Sequence, residues 1–189
     1  MPEIVVLVSG TGSNLQAILD EIANKRLACS IFRVIADREC YGLTRATNAG
    51  VLTHLVDRKV YRENLSTEID RLIPDSTALI VLAGFLSILD NTFINKWQNK
   101  IINIHPSLLP KYGGAGMWGN KVHAAVLANQ EKESGRTVHL VTSEIDGGEI
   151  IIQAKVPVLT TDDVETLQQR VQQVEHPTLI AAIEKLLKV

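Results

Sequence analysis

Three side chains in this sequence could move a proton and steady a charge: Asn103, His105 and Asp146. The first two belong to the run Ile101-Ile102-Asn103-Ile104-His105-Pro106-Ser107-Leu108-Leu109-Pro110. β-Branched residues around Asn103 predict a buried strand, and Pro106 ends it because it lacks an N–H and biases its predecessor towards extended geometry. Residues two apart in a strand point to the same side, so the amide and the imidazole share one face at the strand's C-terminal end. In open α/β sheets ligands bind at that rim. Imidazole exchanges a proton near neutrality, and a nearby carboxylate raises its pKa and orients it. An amide N–H aimed at a developing oxyanion stabilises a tetrahedral intermediate by roughly 3 kcal/mol. The set suits acyl transfer to a nucleophile brought by the substrate. Pro106 stands between His105 and Ser107 and argues against a catalytic Ser–His pair. The five histidines show neither His-x-x-x-His nor cysteine spacing, so no metal is expected.

The elements that must position these groups follow from hydrophobic periodicity. Glu3–Val8 (EIVVLV) reads as a buried parallel strand, followed by Ser9-Gly10-Thr11-Gly12-Ser13-Asn14 and a helix carrying Leu15, Ile18, Leu19 and Ile22 at helical spacing. Strand, glycine-rich turn and helix N-terminus together make an anion site. Three readings fit that turn: a monophosphate ester, a dinucleotide, or a purely structural bend. Leu15 holds the place of the third fingerprint glycine. Further strands are expected at Ile31–Ala36, Val51–Val56, Ala78–Leu82, Thr137–Val141 and Ile150–Val158, the last two pairing antiparallel. Helices are expected at Gly42–Ala49, at Val60–Ile73 with Leu65, Ile69 and Leu72 on one stripe, from Asp90 to Trp97, from Asn120, and after Asp162 or Asp163, with Pro177 kinking or restarting the last. His54 and His123 read as packing, edge or surface histidines. Lys111–Trp118 reads as a glycine-rich mobile loop. Residues 1–189 are therefore expected to form one domain, a doubly wound, mainly parallel α/β sheet with an antiparallel C-terminal edge pair.

Composition narrows the function classes. A formal net charge of −2 gives no electrostatic case for nucleic acid. No apolar run approaches the roughly 20 residues of a membrane helix. Cys29 and Cys40 form no Cys-x-x-Cys pair and follow no signal peptide, so reduced thiols and a cytoplasmic location are expected, with a disulfide the less favoured alternative. The sequence leaves the oligomeric state open.

Several stretches, in order along nearly the whole chain, resemble the folate-dependent formyltransferases that act on glycinamide ribonucleotide: Val8–Ile18, Val81–Phe85, Asn103–Tyr112, Asp146-Gly147-Gly148 and Val171–His176. The Asn-x-His-Pro-Ser-Leu-Leu-Pro block with a later Asp-Gly-Gly is common to 10-formyltetrahydrofolate transferases and hydrolases, and the Ser-Gly-x-Gly-Ser-Asn start points to the purine enzymes. The resemblance implies the formyltransferase fold and transfer of the formyl group of 10-formyltetrahydrofolate, as cosubstrate, to the amine of glycinamide ribonucleotide in de novo purine biosynthesis. His105 would transfer the proton, Asn103 would hold the formyl oxygen, and Asp146 would tune His105. Gly12, Ser13, Asn14, Leu15 and Gln16 match the segment that holds the substrate phosphate, and Glu175 the residue at its ribose. Arg62, Leu86, Ser87, Ile88, Leu89, Asn103, Thr142 and Ile145 match the folate pocket. The sequence departs from the common pattern at Leu86-Ser87, where Met-Arg is frequent, and in the loop Gly113–Gly119. A formyltetrahydrofolate hydrolase with water as acceptor is the nearest alternative. It usually carries an N-terminal regulatory domain, for which no room is expected before Glu3. A non-catalytic Rossmann-type nucleotide-binding module is the alternative from another class. A methionyl-tRNA formyltransferase would need an RNA-binding domain and a basic surface.

Overall fold

The computed structural model describes residues 1–188. Seven strands form one sheet in the order β3-β2-β1-β4-β5-β6-β7. Strands β1 (Glu3–Val8), β2 (Ser30–Ala36), β3 (Thr53–Leu55), β4 (Leu79–Leu82) and β5 (Ile101–His105) are parallel. Strand β6 (Glu133–Leu140) runs antiparallel to β5, and β7 (Ile150–Pro157) antiparallel to β6. This is the doubly wound mixed sheet that the alternating apolar runs imply. The chain winds outward from β1 to β3 and then returns to β4, so the topological switch falls between β1 and β4, with the Ser9–Gly12 turn and the Ala83–Leu89 segment beside it.

Helices cover both faces. On one, Ile4, Val6, Val81, Ile102 and Val138 pack against Leu15 and Ile18 of α1 (Ser13–Ala23), Ala46 of α2 (Tyr41–Asn48), and Leu179 and Ile183 of α8 (Glu175–Leu187). On the other, Val5, Leu7, Ile80 and Ile101 meet Leu65 and Ile69 of α4 (Leu65–Asp70) and Phe93 and Ile94 of α5 (Asn91–Lys96). A third cluster joins Val122 and Val126 of α6 (Asn120–Ala128) to Leu167 and Val171 of α7 (Val164–Gln173) over Val156. The caps match their residue types: Asp90 accepts from the Phe93 N–H, and Asp163 forms a capping box with Thr166. Pro177 lies in the first turn of α8, where its missing N–H has no intrahelical partner to lose, so the chain ends α7 and restarts. Among the described residues no helix is long and apolar enough to cross a membrane. Cys29 and Cys40 are free thiols, and burial pushes that of Cys29 up to about 11.

Two expected elements differ. The continuous helix over Val60–Ile73 is instead a short α3 (Arg58–Tyr61), a 3-10 turn at Arg62–Asn64, and α4. Asp57 starts α3 early by accepting from the Lys59 N–H, and Arg62 leaves it at φ 46°. With Val60 71 % exposed, α3 has no buried side chain to join to the Leu65–Ile69 stripe. Strand β6 also starts four residues before the expected Thr137, because Ser134 and Arg136 are buried by the long pairing with β7 despite their polarity.

Candidate active site

Asn103 and His105 sit at the end of β5 on one face, as the period of two requires, and His105 is only 4 % exposed. Asp146 reaches them from the turn between β6 and β7. It takes up φ 56°, a left-handed conformation that aspartate tolerates, while Gly148 lies so close to β6 that a Cβ would stand 1.8 Å from the Leu140 carbonyl. Asp146 Oδ2 lies 3.4 Å from His105 Nδ1, and the Gly114 N–H donates to it at 3.0 Å. The other oxygen lies 3.5 Å from His139 Nε2. His139 is the residue that reading the sequence missed. It pairs across the sheet with Asn103, whose Nδ2 is 3.5 Å from its Nε2. Only the β5–β6 register identifies it.

A carbonyl oxygen can only accept, so hydrogen bonds fix which ring nitrogens carry protons. His105 Nε2–H donates to the Tyr112 carbonyl at 2.8 Å, which leaves Nδ1 as the basic nitrogen of the neutral ring. Burial lowers the His105 pKa below its ordinary 6.5, against the raising effects of Asp146 and the Tyr112 carbonyl, with smaller downward pulls from His139 and Arg136. His105 is accordingly neutral at pH 7. Burial opposes ionisation of Asp146, yet the His139 and His105 imidazoles and the Gly114 N–H hold its carboxyl below the usual carboxylate range. Ser107 is no nucleophile here: its hydroxyl donates to the Lys111 carbonyl at 2.6 Å, and Thr137 in turn donates to the Ser107 carbonyl at 2.7 Å.

These groups open onto a cleft of about 690 Å³, the size of a pocket for a ring-bearing small molecule. Leu86, Ser87, Ile88 and Leu89 form one wall, Thr142 to Asp146 another, and the loop from Gly114 to Trp118 a third. Arg62 does not line it. The turn that breaks the expected helix leaves its Nε on the Lys59 carbonyl, whereas Arg58 and Arg38 reach the cleft. Arg38 is held by the fully buried Asp37, to which it donates at 2.9 and 2.7 Å and which also accepts from Ser87.

The glycine turn lies at the head of α1. Gly12 adopts φ 73°, and a Cβ there would be 2.7 Å from the Gly42 Cα, so glycine is required twice over. The first-turn N–H groups of a helix lack intrahelical partners, which makes this end an anion cradle. Arg45 lies beside it, donating to the Thr11 carbonyl at 2.8 Å. Leu15 is fully buried in the core, and the Gln16 side chain is engaged by Asp20 and Arg45, so both can contribute only main chain to the cradle. Asn14 is buried and donates to Glu175 Oε1 at 2.8 Å, while Arg136 pairs with Glu175 Oε2 at 2.8 Å. His54 is an exposed residue on β3, and His123 is buried, its pKa pushed to about 4 by burial and by the Arg136 charge.

A mixed α/β sheet with Asn, His and Asp converging at the end of β5 joins a base to an oxyanion donor, the parts of a site for acyl-group chemistry. The formyl transferase family model matches residues 2–183, and the chain belongs to that family. Within it the chain groups with the phosphoribosylglycinamide formyltransferases. The Escherichia coli K12 protein of that name is 42 % identical over 92 % of this chain and 81 % of its own length. The trifunctional purine biosynthetic protein adenosine-3 of Gallus gallus is 40 % identical over 96 % of this chain, which spans only 18 % of that longer protein. The solved structure of the Coxiella burnetii phosphoribosylglycinamide formyltransferase, in complex with CHES, superposes with a TM-score of 0.86 at 39 % identity, covering 96 % of this chain and 85 % of the other.

Proposed function

We propose that residues 1–189 act as one cytoplasmic unit that transfers the formyl group of 10-formyltetrahydrofolate to the amine of glycinamide ribonucleotide. The observation that carries the reading is the Asp146 carboxylate, set 3.4 Å from His105 and 3.5 Å from His139 beside the Asn103 amide. Gly12, Ser13 and Asn14 hold the phosphate at the head of α1, and Glu175 accepts from the ribose. Leu86–Leu89, Thr142 and Ile145 enclose the folate ring system, and Arg58 takes the place assigned to Arg62 at its anionic tail.

His105 is neutral before attack, with Nδ1 bare, and takes the proton lost by the amine as the new C–N bond forms. The new Nδ1–H then faces Asp146 Oδ2, which stabilises the imidazolium until the proton passes to the departing folate nitrogen. Asn103 is held only by a long 3.5 Å contact and is free to aim its Nδ2–H at the carbonyl oxygen as that oxygen becomes an oxyanion. The experiment is an assay with both substrates, following the deformylated folate. Turnover that requires the ribonucleotide amine supports transfer; formate release without it establishes hydrolysis instead.

A further inference from the structure

We propose that Arg136 is a positioning residue for the acceptor substrate: it locks the Glu175 carboxylate in the orientation that receives the ribose hydroxyls. The inference rests on the proposed reading of Glu175 as the ribose contact.

Three elements meet at this carboxylate. Glu175 opens α8, Asn14 comes from the first turn of α1, and Arg136 rises from β6. Asn14 Nδ2 occupies Oε1 and Arg136 Nη2 occupies Oε2, each at 2.8 Å, so rotation of the carboxylate is fixed from both sides. Each oxygen retains a second lone pair, and two such acceptors side by side suit two neighbouring hydroxyls.

Stability alone does not account for the arrangement. Arg136 is 7 % exposed, and its Nε is buried without an acceptor. An ion pair buried at this depth is commonly no better than an apolar pair, and an unsatisfied donor makes it worse. On the same face Val138 of β6 and Ala154 and Val156 of β7 are apolar, with the buried Ser134 the one other polar neighbour among them. His123 of α6, the titratable neighbour of Arg136, is neutral at pH 7 and does not compete for Glu175. A guanidinium kept here at that cost serves the carboxylate, which Asn14 ties to the first turn of α1.

The test is steady-state kinetics of the full chain with each substrate varied. R136M is expected to raise KM for glycinamide ribonucleotide roughly tenfold, the scale for losing a hydrogen bond to a charged group. Its kcat and its KM for the folate should change less than about threefold, as expected of a group that affects binding alone. R136K should recover most of the loss. In the E175Q background, R136M should add nothing further, because it acts through that carboxylate. A KM unchanged in R136M while E175Q raises it overturns this inference and leaves the substrate site standing; independent, additive effects of the two substitutions overturn it as well. An unchanged KM in E175Q overturns the reading of Glu175 itself. Should R136M fail to fold, R136Q carries the same comparison with the charge removed and a donor retained.

Discussion

Two carboxylates organise the polar end of this molecule, and they are held in opposite ways. Glu175 is gripped by an amide and a guanidinium, both at 2.8 Å, neither of which changes its charge in the working pH range. Asp146 accepts one backbone N–H, from Gly114 at 3.0 Å, and stands between two imidazoles at the longer distances of 3.4 and 3.5 Å, one of them the base His105. The difference teaches which carboxylate binds and which takes part in proton movement. A carboxylate fixed at both oxygens recognises hydroxyls; one set beside a base can stabilise a charge that comes and goes.

Breaking the Asp146 side should destroy turnover. His105→Ala and Asp146→Asn are each expected to lower kcat by at least about a hundredfold while KM values move little, measured by steady-state kinetics. The pH profile sharpens the point. The acidic limb of kcat/KM should lie below pH 6.5, because burial lowers the His105 pKa and the ring must be neutral to accept a proton. Asp146 raises that pKa, so the residual activity of Asp146→Asn should show the limb at still lower pH; a shift upward would mean the carboxylate does not act on His105.

Breaking the Glu175 side should weaken binding and spare chemistry. Asn14→Ala is expected to raise KM for the ribonucleotide about tenfold with kcat nearly unchanged, and an equal fall in kcat would erase the contrast between the two carboxylates. At the cleft rim, Arg58→Ala should raise the folate KM about fivefold and Arg62→Ala less than about twofold, the surface-charge scale for a side chain outside the cleft. Far from both sites, Asp163→Ala should cost only about 1 kcal/mol of stability, read as a melting shift of about 2–4 °C, with both KM values unchanged.

Much of this was legible in the residues. Alternating apolar runs mark β1, β4 and β5, Asp90 and Asp163 mark helix starts, and the two-residue spacing of Asn103 and His105 places them together. The failures share a cause. The stripe Leu65–Ile69–Leu72 predicts one helix running back through Val60, and periodicity does not report that the exposed Val60 finds nothing to pack against. Ser134 and Arg136 concealed the start of β6 because their burial depends on β7, a strand that lies far along the chain.

What the sequence by itself determined is local: which segments become strands and helices, where Gly12 must turn the chain, and that an amide and an imidazole share one face of β5. These follow from side-chain shape, backbone freedom and a period of two or 3.6 residues. Only the tertiary structure decided that Asp146 meets His105, that His139 stands opposite Asn103, and that Arg136 reaches Glu175. Each of those contacts depends on antiparallel register or helix docking across long sequence separations, and the hydrophobic packing that sets them leaves no mark at the residues it brings together.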